Sequence, residues 1–278
     1  MIGVADSTAD LARCVEIANA VDPESPVALA QLQGASDGTF LLHDAGGYAY
    51  VSRSSVPRSA YAMVRVAPGA RGRGVGSALL AAARECTLEL GADALWGRVR
   101  DEASLGFVAR RGFREVSRDI VVAREVAPGE GELARGIVEL RDDHQRGAYE
   151  VYVETLPEVL APLPAEERPF EEWLEHESRD PAVAFVALDG DDVVGYARLH
   201  TCGVPHRLEH GMTAVRCSHR RRGIATALKR AQLKWAADHG YRELRTDMLE
   251  GNTAMRAVNV RLGYRELSPV LIVSGSAS

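Results

Sequence analysis

Glu209-His210-Gly211-Met212-Thr213-Ala214-Val215-Arg216-Cys217-Ser218-His219-Arg220-Arg221-Arg222-Gly223-Ile224-Ala225-Thr226-Ala227-Leu228 is the stretch on which the reading of this chain turns. Met212–Val215 is short, apolar and β-compatible. From Ile224 onward the apolar residues recur at Ile224, Leu228, Ala231 and Trp235, the stripe of an amphipathic helix. Between strand and helix lies a basic turn with a single glycine, Gly223. A strand feeding a helix through so tight a turn aims several uncommitted backbone N–H groups at one point. The helix dipole and the arginines add positive charge there, so the ligand predicted is a phosphate or diphosphate.

The design occurs twice. At an offset of 149 residues, the distance from Gly74 to Gly223, Gly211–Leu228 falls without a gap on Ala62–Leu79. There Val64-Arg65-Val66 is the strand, Arg71-Gly72-Arg73-Gly74-Val75-Gly76 the turn, and Val75, Leu79, Ala82, Cys86 and Leu90 the helical stripe. Both predicted helices stop at a glycine, Gly91 and Gly240, as C′ residues do. Each is followed by a short strand (Ala94–Trp96; Glu243–Thr246) and a further helix that closes on Gly112-Phe113 or Gly263-Tyr264. A repeat on this scale means two copies of one domain.

Arg-x-x-Gly-x-Gly/Ala after a strand, with Gly-Phe or Gly-Tyr closing the next helix, resembles the GNAT superfamily of acyl-CoA-dependent N-acetyltransferases. The resemblance covers nearly the whole chain, twice. It implies an α/β (α+β) fold class: two tandem GNAT domains, each a mixed, mostly antiparallel sheet flanked by helices. The central strands of such a sheet splay, and the pantetheine arm of acetyl-CoA (CoA) slots between them as an added strand. By the same resemblance the CoA diphosphate falls to Arg220, Arg221, Arg222, Gly223, Ile224, Ala225 and Thr226, and Asn252 joins the cofactor contacts. Main-chain groups of Thr213 and Val215 would align the pantetheine and polarise the thioester carbonyl. The first half offers Val66, Arg71, Gly72, Arg73, Gly74, Val75, Gly76 and Ser77 as the matching set.

Composition fits this picture. Of 278 residues, 46% are hydrophobic and 26% charged, enough to bury two ordinary cores. A net charge of −6 argues against nucleic acid as partner despite the arginine clusters. Cys14, Cys86, Cys202 and Cys217 show no CxxC spacing, so neither a zinc site nor a disulfide framework is indicated and reduced cytoplasmic thiols are expected. His200, His206 and His210 have spacing for alternate strand faces, and no metal is predicted. No signal peptide or membrane span is visible. The domains are expected at 1–126 and 137–273, around a linker at 127–136 that contains Ala127-Pro128-Gly129-Glu130-Gly131. Ser274–Ser278 reads as an unstructured tail. Two GNAT units in one chain mimic a homodimer of single units, so the expected state is a monomer with an internal pseudo-dimer, or a homodimer.

The resemblance also lets the halves be compared residue by residue. In several GNAT enzymes a glutamate eleven residues before the turn is the general base; here that position holds Glu209 in the second half and Ala60 in the first. The chemistry needs such a group because alkyl amines are protonated at neutral pH and must lose a proton to attack. Strand alternation puts Glu209, Gly211, Thr213 and Val215 on one face. The tyrosine that usually protonates the leaving thiolate, four residues before the Gly-aromatic pair, is replaced by Asn259 and by Val108. Asn259 lies in Asn252-x-x-Met255-x-x-x-Asn259, a pattern found in some bacterial members. It either donates a hydrogen bond to the sulfur or cofactor or is a satisfied buried amide. The implied reaction is acetyl transfer by the second half to a primary amine of a small molecule. Glu166, Glu167, Glu171, Glu172, Glu175, Glu177 and Asp180 form either a solvated face or a wall that draws in a cationic amine. A non-enzymatic acyl-CoA-binding or regulatory module, and an enzyme for longer acyl-CoAs, remain the alternatives.

Overall fold

Ser7 starts the first helix by accepting a hydrogen bond from the Asp10 N–H, the arrangement that serine at an N-cap favours. The structure, a computed structural model, describes residues 1–35, 37–54, 56–159, 167–177 and 181–278. The first half runs β1 (Ile2–Val4), α1 (Thr8–Val21), α2 (Leu29–Gly34), β2 (Gly38–His43), β3 (Gly47–Arg53), β4 (Ser59–Val66), α3 (Val75–Glu89), β5 (Ala94–Val99), α4 (Glu102–Ala109) and β6 (Arg114–Glu125). The second continues with β7 (Ile137–Glu139), α5 (Gln145–Val159), α6 (Phe170–Glu177), β8 (Pro181–Asp189), β9 (Asp192–Thr201), β10 (Arg207–Val215), α7 (Ile224–Asp238), β11 (Glu243–Leu249), α8 (Thr253–Arg261), β12 (Arg265–Glu266) and β13 (Val270–Ser276). Helix α5 contains Pro157 in its last turn.

Two compact units result. One comprises Met1–Arg118 with Val270–Ser278, the other Asp119–Pro269. The first sheet has the order β1-β2-β3-β4-β5-β13, the second β6-β11-β10-β9-β8-β7 with β12 on β6. In each, one central pair is parallel, β4 with β5 and β10 with β11. The pairs on either side of it, β3–β4, β5–β13, β9–β10 and β6–β11, are antiparallel. The mixed sheet flanked by helices is thus present twice.

The units divide the chain differently from a cut at 127–136. Asp119–Glu125 pairs with β11 and belongs to the second unit, whereas β13 pairs with β5 and belongs to the first. Each sheet is completed by a strand that chain order would give to the other. The unstructured tail is corrected by the same pairing. Ser274, Gly275 and Ser276 lie opposite Trp96, Leu95 and Ala94, and Ala277 is buried with its N–H on the Asp93 carbonyl. A complete ladder of backbone hydrogen bonds outweighs the polar composition of Ser-Gly-Ser.

Each sheet carries one apolar cluster per face, because successive side chains of a strand point to opposite sides. In the second unit Ala197, Leu199 and Leu208 meet Leu228, Ala231 and Leu233 of α7. On the other face Val193, Tyr196 and Ala214 meet Ala148 and Val151 of α5 and Trp173 of α6. In the first unit α3 covers Ala49, Val51 and Ala60, while α1 covers Phe40, Leu42 and Tyr48. Among the described residues no helix is long and apolar enough to cross a membrane.

Candidate active site

The two basic turns have one geometry. Each strand ends in a short 3-10 turn, Pro68–Ala70 or Cys217–His219, and each following helix starts at a left-handed glycine, Gly74 (φ 84°) or Gly223 (φ 82°). Two residues earlier the backbone is left-handed again, at Gly72 (φ 72°) and at Arg221 (φ 60°). A side chain there strains the backbone, so Arg221 is held in a shape the first half gives to glycine. Arg71 Nε and Arg220 Nε each donate to the carbonyl of the last strand residue, Val66 or Val215, at 3.2 Å. Arg220 also pairs with Glu158 (2.5 Å), and Arg222 donates to the Ser218 carbonyl (3.2 Å). These two arginines therefore brace the turn. No side chain caps α3 or α7, so the first N–H groups of each helix face outward.

The parallel pairs are short. β10 and β11 are in register only at Arg207–Glu243, Leu208–Leu244 and Glu209–Arg245, after which they part. β4 and β5 part after Tyr61–Trp96. Beyond those points facing edges are unpaired, which is a template for an extended ligand. The halves differ in one respect. β4 runs against β3 in unbroken register, whereas β10 shifts by one residue against β9, between the His210–Leu199 and Thr213–Ala197 pairs. Gly211 and Met212 thus oppose the single residue Arg198, a β-bulge.

This bulge corrects two expectations. First, Glu209 pairs with His200 and Thr213 with Ala197, residues of opposite parity on β9. Glu209 therefore lies on the α5/α6 face and Thr213 and Val215 on the α7 face, where strict alternation put all three together. Second, the gap-free repeat fails before the bulge. Leu208 pairs with Leu244 as Ala60 pairs with Leu95, and Glu209 with Arg245 as Tyr61 with Trp96. The counterpart of Glu209 is Tyr61, and Ala60, wholly buried, matches buried Leu208.

Comparisons with known proteins bear on this arrangement. The sequence model of the Acetyltransferase (GNAT) family matches residues 142–264, and that of the Acetyltransferase (GNAT) domain matches residues 35–115. The chain belongs to the GNAT family, in two copies. Its fold is similar to that of a GCN5-related N-acetyltransferase from Sphaerobacter thermophilus, with TM-score 0.76 and 18% identity, over 99% of this chain and 96% of that one. It is also similar to a tandem GNAT protein from the clavulanic acid biosynthesis pathway, with TM-score 0.78 and 20% identity, over 100% and 99%. A further likeness, with TM-score 0.73 and 14% identity, is to the GCN5-related glucosamine N-acetyltransferase region of a fungal multi-domain GH3 β-N-acetylglucosaminidase, over 99% of this chain and 38% of that one. At these identities the likeness speaks for the fold. No curated protein sequence matches significantly.

Ile224, Ala225 and Thr226 form the half-buried first turn of α7. Asn252 caps α8, its Oδ1 accepting from the Met255 N–H at 3.1 Å. Asn259 is buried; its Nδ2 donates to Met248 Sδ at 3.7 Å, and its Oδ1 has no partner among the described residues. Thr213 Oγ1 is likewise buried and without a partner. Unsatisfied buried polar atoms cost free energy. Two such atoms on elements that flank the parted strands, together with uncapped N–H groups at the turn, fit a ligand with amides along an arm and a diphosphate at its end. That is the chemistry of CoA. Glu209 is partly exposed beside His200, their charged groups 3.8 Å apart. The three histidines diverge: His200 lies on the α6 face, His210 is buried on the α7 face, and His206 precedes β10 with φ 60°.

His210 anchors a buried polar group that the sequence did not reveal. Its Nδ1 is 3.0 Å from Gln232 Oε1 and its Nε2 2.5 Å from the Tyr264 hydroxyl. Burial, then the nearby Lys229, push the His210 pKa well below its ordinary value, so the ring is neutral. Nδ1–H then donates to Gln232, and Nε2 accepts from the Tyr264 O–H. Burial alone lowers the pKa of Lys229, whose Nζ lies 5.3 Å over the Tyr264 ring, to about 7. Lys229 and Gln232 stand where the first unit has Leu80 and Ala83, both buried.

The first GNAT unit keeps the turn and changes its surroundings. Arg111 donates to Ser77 Oγ (2.7 Å), and its guanidinium lies 3.8 Å over the Phe107 ring. That ring packs against Gly76, within 3.4 Å of where a β-carbon would sit. Tyr61 and Trp96 lie 4.8 Å apart where the second unit has Glu209 and Arg245. Gly223→Asp is expected to abolish CoA binding at the second turn, because a carboxylate there competes for the free N–H groups and repels the diphosphate. No heavy atom lies within 4 Å of the added β-carbon, but the left-handed backbone at φ 82° strains any side chain, so circular dichroism and retained binding at the first turn are the controls for the fold. Calorimetry should count up to two CoA sites per parent chain and one fewer in the variant; unchanged binding would remove the assignment.

Proposed function

We propose that the second unit is an N-acetyltransferase that moves an acetyl group from acetyl-CoA to a primary amine of a small molecule, by direct attack and without a covalent enzyme intermediate. The observation that carries the reading is the bulge in β10, beside Glu209 and at the mouth of the parted strands, with no counterpart in β4. A bulge frees backbone groups from the ladder and re-aims the strand. Here it does so where an acyl carbonyl would need N–H donors.

Acetyl-CoA bound at this site would supply an acetyl group activated as a thioester. The chain's own residues divide the other tasks. N–H groups from Arg221 to Thr226 hold the diphosphate, with Arg220 and Arg222 bracing the turn. Backbone groups of β10 beyond the bulge, around Thr213 and Val215, align the arm, and Asn259 offers it an unsatisfied carbonyl. Glu209 supplies the negative charge that draws the proton from the acceptor ammonium. No tyrosine stands at the usual acid position, so the thiolate leaves without a dedicated donor.

The first unit, with Phe107 and Arg111 at its turn and Tyr61 in place of the glutamate, is a support that offers at most a second CoA site. On the acceptor side, α6 exposes Glu171, Glu172 and Glu175, which favours a cationic amine. Glu177 is not available for this, being tied to Arg198 (3.3 Å) and the Tyr196 hydroxyl. Glu167 accepts from the Tyr149 hydroxyl (2.7 Å), and Glu166 and Asp180 lie outside the described residues. Four free thiols favour a cytoplasmic setting. The deciding experiment is release of free CoA thiol from acetyl-CoA with a panel of primary amines: an amino sugar, a polyamine, an arylethylamine and an amino acid. Amine-dependent release supports the reading. Tight CoA binding with no release from acetyl- or longer acyl-CoA would favour a binding module.

A further inference from the structure

His200 stands between two features that the proposed reaction needs. It is the direct cross-strand partner of Glu209, and its Nε2 lies 3.8 Å from a Glu209 carboxylate oxygen. Its other ring nitrogen leans over the bulge: a β-carbon placed on Gly211 would come within 3.6 Å of His200 Nδ1. Gly211 adds no side chain of its own, so the imidazole stands beside the backbone of the bulge and the Arg198 stem, whose Cβ and Cδ lie 3.5 and 3.6 Å from the same point. Both side chains stay accessible, 30% exposed for His200 and 40% for Glu209. None of this exists in the first unit, where Ser52 pairs with Tyr61 on unbulged strands and the Tyr61 ring packs on Trp96.

From this placement we infer that His200 takes the acceptor's proton, with Glu209 acting behind it as a positioning residue. The inference rests on the proposed acetyl transfer at this site and adds the proton's route. A carboxylate beside Nε2 favours the tautomer with its hydrogen on Nε2, leaving the Nδ1 lone pair directed at the bulge. Nδ1 accepts the proton that the acceptor ammonium loses. The freed nitrogen pair forms the new C–N bond while the C–S bond breaks, its electron pair leaving on sulfur. The first proton leaves Nδ1 for water, and the nitrogen of the new C–N bond gives up its second proton to the departing thiolate, so that a neutral amide, free CoA thiol and one released proton result. Glu209 stabilises the imidazolium in between, as a carboxylate does behind a histidine base in other enzymes. An imidazole is in general a better-matched base near neutral pH than a carboxylate. The charged groups around His200 complete the setting: Arg198 on its own strand with Glu177 of α6, Glu209 on β10, and Arg245 beside Glu209 on β11.

Two measurements on the full chain test this. Long-range proton–nitrogen NMR of the unliganded protein reads which His200 nitrogen carries hydrogen. The Nε2–H tautomer is expected, and Glu209→Ala should diminish it. An Nδ1–H ring in the parent, or a tautomer indifferent to Glu209→Ala, overturns the inference without any assay of activity. Kinetics with acetyl-CoA and the most active amine of the panel should show a loss in kcat of ~10²-fold for His200→Gln. The double variant with Glu209→Gln should be no slower than the slower single, since the two act as one unit. Full turnover in His200→Gln beside a crippled Glu209→Gln overturns the inference and leaves acetyl transfer standing. Full turnover in both takes the base away from this site, and the proposed mechanism with it.

Discussion

Glu209→Gln is expected to lower turnover ~10²–10⁴-fold at neutral pH and to leave acetyl-CoA affinity unchanged. Glutamine keeps the size of the side chain and most of its hydrogen bonding while removing the charge, so the strand pairing of Glu209 with His200 and Arg245 should survive. The cofactor turn and the edge of β10 beyond the bulge are untouched, which is why affinity should hold. Part of the loss should return at high pH, where more of the acceptor amine is neutral before it binds. Steady-state rates across a pH series, with calorimetry of CoA binding, check each statement. A variant with parent turnover and an unchanged pH profile would show that neither Glu209 nor a base that depends on it takes the proton. The control in the first unit is Tyr61→Glu. Ala60→Glu, which the gap-free repeat suggests, would bury a carboxylate at a wholly buried site and report only on stability. Tyr61→Glu should gain no activity, since β4 has no bulge.

The fold was legible because both its signals are local. A change of hydrophobic period across a glycine turn marks strand, turn and helix, and the repeat gave every element a second reading. What escaped was non-local. Ser274–Ser276 looks like tail until β5 is there to pair with it, and β6 reads as a last strand of the first domain until β11 claims it. The left-handed Arg221 was hidden for a related reason: a non-glycine residue gives no sign of positive φ, although Gly72 in the other copy pointed to it. At the site, the turn and Glu209 were legible as motif and spacing. The bulge was not, since one extra residue in a strand leaves no mark on composition, and it moved Glu209 to the other face and onto a different counterpart. His200 was within reach: counting back through the hairpin register sets it opposite Glu209. Lys229 and Gln232 were also within reach, as polar residues in one copy where the other has Leu80 and Ala83.

Lys229→Leu is expected to stabilise the second unit by ~2–4 kcal/mol at pH 7 and to flatten its stability profile above neutrality. Lys229 is 1% exposed, and burial brings its pKa down from 10.5 to about 7. Each unit of such a shift corresponds to about 1.4 kcal/mol of preference for the neutral amine. Between the two values the unfolded chain holds a proton that the folded chain has released, so the parent gains stability as pH rises through that window. The gain is complete above the unfolded value and is lost as pH falls through about 7, where the folded protein must carry a buried ammonium. The Tyr264 ring, 5.3 Å from Nζ, offsets part of the cost as a cation–π partner, which keeps the expected figure below the full shift. Leucine abolishes the titration and fits a site that the first unit already fills with Leu80 on the equivalent helix. Removing the charge also relieves His210, whose protonation Lys229 opposes, so the variant should tolerate acid no better than a neutral core with one buried imidazole allows. Urea denaturation of parent and variant at several pH values between 6 and 10 reads the difference directly. Parallel curves with no pH-dependent gap would mean that Lys229 finds a charge partner or water in solution. A less stable variant would mean that the buried amine contributes more through the Tyr264 ring and its own packing than its desolvation costs.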